Sequence, residues 1–227
     1  MIIFNEMQKI RVKICCISSV EEAKLAAAYG ASALGLVGHM PSGPGVISNQ
    51  KISEITKSVS PMVSTFLLTS ETKAVAVIDH YKKVNTSTIQ IVDALENKDY
   101  QRIKNELPHV KIVQVIHVLD DKSVTEAIGV SAYVDAILLD SGNPNLETKE
   151  LGGTGRTHNW DLSRKIRNQI DIPVILAGGI DSNNVKQAIE HVQPFGVDLC
   201  SGVRTNGKLD ENKLRMFFQT IQSIYQN

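Results

Sequence analysis

The sequence predicts a closed (β/α)8 barrel, and three observations carry that expectation. Eight short apolar runs alternate with eight segments of helical period. Such alternation specifies parallel strands with helices between them, and eight units in about 220 residues specify closure. No linker or low-complexity tract interrupts the chain, so residues 1–227 are expected to form one barrel domain, with 1–9 as a short lead-in. The last two units end in paired small turns, Gly178-Gly179 and Ser201-Gly202. Turns after strands seven and eight are where such barrels commonly hold phosphate. An open doubly wound sheet would carry a Gly-rich fingerprint after its first strand, and Cys-Cys-Ile-Ser-Ser at 15–19 is not one.

The elements follow in order. Residues 10–16 (IRVKICC) read as the first strand. Ser18 or Ser19 caps a helix through 23–28, Glu21 and Glu22 favour its first turn, and Gly30 ends it. A second strand at 33–37 leads into the turn-rich loop 38–48 (GHMPSGPGVIS) and a helix at 49–59. Strands at 62–68, 88–92 and 110–118 alternate with helices at 71–84, 98–107 and 122–130. The sixth strand, 134–140 (VDAILLD), precedes the longest loop, 141–159, and a helix at 161–169. The seventh strand is 172–177. Asp181 or Ser182 caps the next helix, whose apolar residues Val185, Ala188, Ile189 and Val192 fall at helical spacing. The eighth strand is 195–199 and the last helix 211–225.

Composition bounds the function. Lys+Arg and Asp+Glu each number 24, a balance that points away from nucleic acid and membrane surfaces as partners. No apolar run reaches the ~18 residues of a membrane span. The N-terminus carries Glu6 and lacks the apolar core of a signal peptide, so the cytoplasm is the expected location. Three cysteines, two of them adjacent, form neither a disulfide framework nor a zinc-finger spacing, and no metal is expected.

In such a barrel the chemistry lies at the C-terminal ends of the strands. Cys15 and Cys16 close the first strand, and alternation turns only one of them to the mouth. Taken alone, a cysteine there reads as a small buried hydrophobe; beside an anion site it can serve as nucleophile or general base. Asp140 closes the run Ala-Ile-Leu-Leu, where an unpaired carboxylate would be costly to bury, so it reads as a functional acid or ligand. A thiol and a carboxyl across one mouth suit an isomerase working by general acid–base catalysis. The long loop adds Gly153 and Arg156, and Arg204 follows the last turn; these three are candidate substrate contacts. His39, Asp93, His117 and His158 are weaker candidates. Without lysine at the end of strand six, a Schiff-base aldolase is disfavoured.

Together these residues resemble the phosphoribosylanthranilate isomerase family of tryptophan biosynthesis. VKICCIS (12–18) is similar to the family's Lys-Ile-Cys-Gly-Ile-Thr, and the resemblance returns in LLDS (138–141), GGTGRTHNW (152–160), PVILAGGI (173–180) and FGVDLCSGV (195–203). It implies an Amadori rearrangement of an aminoaldose phosphate to a 1-amino-1-deoxyketose phosphate, without cofactor or metal, by a monomer or homodimer. It maps the general base to Cys15, the general acid to Asp140, and the phosphate to Gly178, Gly179, Ser201 and Gly202. The chain departs from the family at four places. Cys16 stands for Gly, Gly43-Pro44-Gly45 for Ser-Pro-Arg, and Gln90-Ile91-Val92-Asp93 for Gln-Leu-His-Gly. Cys200-Ser201-Gly202-Val203-Arg204 stands for Ser-Ser-Gly-Val-Glu. The arginine that binds the anthranilate carboxylate is thereby lost. Either Arg156 or Arg204 replaces it, or the chain acts on a related aminoaldose phosphate. A non-catalytic sugar-phosphate binder on the same barrel is the alternative from another class.

Overall fold

The computed structural model describes residues 9–226, so the expected lead-in lies, but for Lys9, outside the described residues. Eight strands pair in parallel, each with the next and the eighth with the first, into a closed barrel. They are β1 (Arg11–Ile14), β2 (Ala33–Val37), β3 (Ser64–Thr69), β4 (Thr88–Ile91), β5 (Lys111–His117), β6 (Ala136–Asp140), β7 (Val174–Leu176) and β8 (Gly196–Leu199). The helices between and after them are α1 (Val20–Tyr29), α2 (Asn49–Ser58), α3 (Ala74–Val84), α4 (Asn97–Glu106), α5 (Lys122–Ser131), α6 (Trp160–Gln169), α7 (Val185–Val192) and α8 (Glu211–Ser223).

Period-two alternation splits the strand side chains between two cores. Outward residues such as Ile14, Leu34, Leu36, Leu67, Ile89 and Ile137 pack against helix residues such as Ile52, Ile55, Val77, Ile103, Ile166 and Phe217. Inward residues, among them Ala33, Phe66, Leu68, Val113, Val115, Leu138 and Ile175, fill the barrel. Each fully buried aliphatic side chain stabilises by roughly 1.5–3 kcal/mol.

Caps fix where the helices begin. Ser19 accepts from Glu22 N–H at 3.2 Å, and Gly30 ends α1 at φ +109°, a left-handed value that favours glycine. Strand and helix ends elsewhere shift by a few residues from expectation. Among these, α7 starts at Val185 rather than directly after Asp181 or Ser182. Asp181 Oδ1 accepts from the N–H groups of Asn183 and Asn184, so its side chain closes a turn of its own ahead of the helix.

One element was not foreseen. After β8 the chain makes a single 3-10 turn, Ser201–Val203, and then a hairpin of β9 (Arg204–Thr205) and β10 (Lys208–Leu209). Asn206 and Gly207 form its tip at φ +50° and +76°. Asn-Gly is the sequence signal of such a turn.

Candidate active site

The site is assembled at the C-terminal mouth of the barrel. Cys15 lies one residue beyond β1, where its N–H still donates to Leu199 O at 2.7 Å. It shares the inward face with Lys13, whose Nζ pairs with Asp198 Oδ2 at 2.8 Å and lies 5.4 Å from the centre of the Phe66 ring. The two charges face each other by register, Lys13 opposite Asp198 across β1 and β8. Burial acts to lower Lys13, yet Asp198 and, more weakly, the neighbouring thiols raise it well above its ordinary value. Burial pushes Asp198 up, against the opposing pull of Lys13. The pair is best described as an ammonium held by a carboxylate, because its 2.8 Å contact is the closest either charge makes.

Gly35 of β2 makes room for this arrangement. A Cβ there would stand 2.7 Å from Cys15 Sγ and 3.0 Å from Lys13 Nζ. The thiol and the ammonium therefore converge on space that a side chain would fill.

Asp140 ends β6 and is 8% exposed. Its neighbour Ser141 donates a backbone N–H to Oδ1 at 2.7 Å. Burial raises its pKa, with that hydrogen bond, His117 and Lys13 pulling the other way. His117 sits beside it by register on β5. The long loop then covers the carboxyl, since a Cβ on Gly152 (φ +138°) would meet Asp140 Oδ2 at 2.7 Å. Cys15, Asp140, Gln90, Asp198 and Cys200 line one cleft with Gly178, Gly179 and Ser201.

The glycine turns are packed backbone to backbone. A Cβ on Gly179 would stand 2.7 Å from Arg156 C, one on Gly202 would run into Ile180 O, and one on Gly155 would lie 3.4 Å from Ser201 Oγ. Three loops thus meet at one end of the cleft. Among the described residues, none accepts a hydrogen bond from the backbone N–H of Gly178, Gly179 or Ile180. Free N–H groups of this kind suit an anion.

The other end is closed by two loops in contact. Ser42 Oγ donates to Lys149 O at 2.5 Å, and a Cβ on Gly153 would reach Pro44 Cδ at 2.6 Å. Val37, Met40, Leu68, Val92 and Leu151 give this end an apolar lining. Lys149 Nζ reaches Asp93 Oδ2 at 2.5 Å on the rim, and Arg156 pairs with Glu150.

Arg204 is not brought to the mouth, which corrects its expected place among the substrate contacts. Its guanidinium is buried behind the strand ends, with both Nη atoms engaged and Nε without a partner among the described residues. Nη1 donates to Glu22 Oε1 and Gly207 O, and Nη2 donates to Cys15 O at 3.2 Å and Cys16 O at 2.6 Å. It holds the end of β1 in place from behind.

Sequence reasoning also missed Lys13, Gly35 and Asp198. Each had a signal, because a charge or a glycine inside an otherwise apolar strand asks for a reason. Cys16, where the resemblance expects glycine, adopts φ +61°. A side chain in that region costs about 1–2 kcal/mol, which explains the glycine and makes the cysteine a departure that must be compensated. Among the described residues no group of three or more His, Cys, Asp or Glu is placed to hold a metal, and no helix is long and apolar enough to cross a membrane.

Comparison with known proteins now adds to this geometry. A family model for N-(5'phosphoribosyl)anthranilate (PRA) isomerase matches residues 12–220. The chain is 32% identical over 230 residues to the N-(5'-phosphoribosyl)anthranilate isomerase of Methanosarcina acetivorans, covering 96% of this chain and 95% of that one. It is 32% identical over 213 residues to the Methanocella arvoryzae protein of the same name, covering 93% and 98%. Phosphoribosyl anthranilate isomerase from Thermotoga maritima superposes with a TM-score of 0.81 at 26% identity, covering 94% of this chain and 99% of that one. A phosphoribosyl anthranilate isomerase crystallised with reduced 1-(o-carboxyphenylamino)-1-deoxyribulose 5-phosphate superposes with a TM-score of 0.78 at 25% identity, with the same coverage. By sequence along nearly its whole length, and by fold, the chain belongs to the N-(5'-phosphoribosyl)anthranilate isomerase family.

Proposed function

We propose that the chain converts N-(5'-phosphoribosyl)anthranilate to 1-(2-carboxyphenylamino)-1-deoxyribulose 5-phosphate, with Asp140 as general acid and Cys15 as general base. One observation carries the assignment. A buried carboxyl and a thiol line one cleft whose far end is built from glycine turns with free N–H groups. The reaction asks only proton transfers of the protein. Asp140 donates to the ring oxygen, the C1–O bond opens, and the nitrogen lone pair forms the C=N bond of an iminium ion. Cys15, as thiolate, takes the proton from C2, and the electron pair left on carbon gives the enolamine. Tautomerisation to the ketone completes an isomer of the substrate, and a proton passing from Cys15 to Asp140 through solvent resets the site. The raised Asp140 suits donation near neutral pH. Lys13 Nζ and Cys15 Sγ converge on the space over Gly35.

The phosphate is assigned to Gly178, Gly179, Ser201 and Gly202, with Arg156 beside the Gly179 turn. Gly153 is assigned to the wall over the aromatic end. A specific observation supports a second reading: Gly43-Pro44-Gly45 stands where the resemblance expects an arginine, so another aminoaldose phosphate is the alternative substrate. The test follows the loss of phosphoribosylanthranilate fluorescence on addition of enzyme. Turnover is expected, with Cys15→Ser and Asp140→Asn each at least about a thousandfold slower, at the lower end of what removing a catalytic group costs. Activity surviving in either variant, with circular dichroism unchanged, removes that residue from its role. No turnover by the parent, with inorganic phosphate still raising Tm, moves the assignment to the alternative substrate.

A further inference from the structure

We propose that Cys16 and Cys200 form a reversible disulfide site at the mouth, and that closing it shuts the enzyme off. Neither thiol has a part in the proton transfers. Both stand where the resemblance expects residues without a thiol, glycine at 16 and serine at 200, and the fold brings the two departures together. The registered pair Ile14 and Leu199 places the ends of β1 and β8 side by side. Beyond them, Cys16 Sγ and Cys200 Sγ stand 2.8 Å apart. Bond formation at about 2.05 Å then needs roughly 0.7 Å of sulfur movement. Both sulfurs line the cleft, so a small oxidant enters by the route the substrate takes.

The two thiols are chemically unequal. Its contact with Cys16 lowers the Cys200 thiol, helped by Arg204 and Lys13 and opposed by burial. Cys16, crowded by Cys15 and Cys200 and buried, is raised. This makes Cys200 the attacking sulfur and Cys16 the resolving one. With hydrogen peroxide as oxidant, the Cys200 thiolate attacks one peroxide oxygen, the O–O bond breaks, and hydroxide leaves. The sulfenic acid so formed is attacked by Cys16 sulfur, the S–O bond breaks, the S–S bond forms, and water departs. The two thiols lose two electrons and two protons, and the peroxide becomes two waters. A dithiol reductant reverses the bond by two exchanges.

The consequence follows from position. The bond would tie the residue after Cys15 to the residue before Ser201. Today Cys16 Sγ contacts Pro44 O at 3.6 Å, a contact in which the thiol donates, and a disulfide has no proton to donate. Oxidation thus binds the base-bearing strand end to the phosphate turn and releases the loop that closes the other end. In a reducing compartment the pair stays open, which makes it a switch rather than a structural cross-link.

The test uses the full chain, oxidised with hydrogen peroxide, alkylated and digested with trypsin. The expected product is a linkage between peptides 14–24 and 187–204, broken by dithiothreitol. It should vanish in Cys16→Gly and in Cys200→Ser. Turnover of the oxidised parent should fall about tenfold or more and return on reduction, while each variant, compared only with its own reduced form, keeps its rate. A link that survives in Cys16→Gly places Cys15 in the bond and overturns the proposal. So does a link without loss of rate, or dithiothreitol-reversible inhibition in the variants. The peptide linkage is read by mass and does not depend on the substrate. If phosphoribosylanthranilate is not turned over, the rise in Tm with inorganic phosphate replaces rate as the second readout.

Discussion

Gly35 is the residue on which the proposed acid–base geometry turns, although it has no side chain to take part in the reaction. Substitution by alanine puts a methyl 2.7 Å from Cys15 Sγ and 3.0 Å from Lys13 Nζ, and both are held, the thiol by its strand and the ammonium by Asp198. One of them must move. Gly35→Ala is therefore expected to lower kcat by about tenfold or more, with KM changed less and a stability cost of about 1–3 kcal/mol. Steady-state kinetics alongside urea unfolding separates the two effects; an unchanged kcat would mean that Cys15 is not the base or that the site has slack. The legibility of the site divides at this scale. Asp140 could be picked from the chain because it closes an apolar strand where a carboxyl must have a use, whereas Cys15 taken alone reads as a buried hydrophobe and takes its role from the resemblance. Gly35 and Lys13 could not be assigned, because their meaning lies in a neighbouring strand: Lys13 is explained by Asp198, 185 positions away.

At the scale of elements, the hairpin after β8 is what turns Arg204 from a surface cation into a brace. Its tip, Asn206-Gly207, is a turn signal that was readable, yet what the hairpin does was not, because Glu22 on α1 and the carbonyls at the end of β1 come from the far end of the chain. Glu22 accepts from Arg204 and from Leu209 N–H, so one carboxylate joins α1 to β10. Arg204→Met leaves that carboxylate half-buried without its partner and Cys15 O and Cys16 O without their donor. The expected loss is about 3–5 kcal/mol in urea unfolding. Adding Glu22→Gln should recover part of it, since the two sites share one interaction and their effects cannot be additive. Additivity within about 0.5 kcal/mol would show instead that Arg204 acts through the carbonyls it holds and its packing, not through Glu22. The loop 141–159 shows the same limit from another side. Its length was evident, but its closure on Ser42 through Lys149 O joins residues 107 positions apart, and no local pattern reports it.

The whole molecule was the most legible level, since strand–helix alternation repeated eight times leaves few other ways to bury the strands on both faces. What the pattern could not show is that the barrel encloses groups whose ionisation differs from that of the unfolded chain, so that acid stability is a property of the whole barrel. His158 carries one such difference. Its Nε2 meets Ser163 Oγ at 2.7 Å, while Nδ1 is buried without a partner among the described residues. Burial lowers its pKa from the ordinary 6.5 to about 4. The folded barrel thus holds the ring neutral where the unfolded chain would protonate it, and unfolding takes up a proton throughout that interval. Stability from this source is complete above about pH 6.5 and is lost as pH falls toward 4, by at most about 3 kcal/mol. Asp140 and Asp198, both raised, act with the opposite sign: below their folded pKa values they bind protons more readily when folded. The useful quantity is therefore the difference between parent and His158→Gln, not the slope of either alone. Tm measured from pH 7 to pH 4.5 should fall more steeply in the parent, with the two curves drawing together by several degrees, at about 2–4 °C per kcal/mol for a chain of this size. Parallel curves would mean that the ring is as readily protonated in the barrel as outside it, and that an ordered partner for Nδ1 offsets its burial.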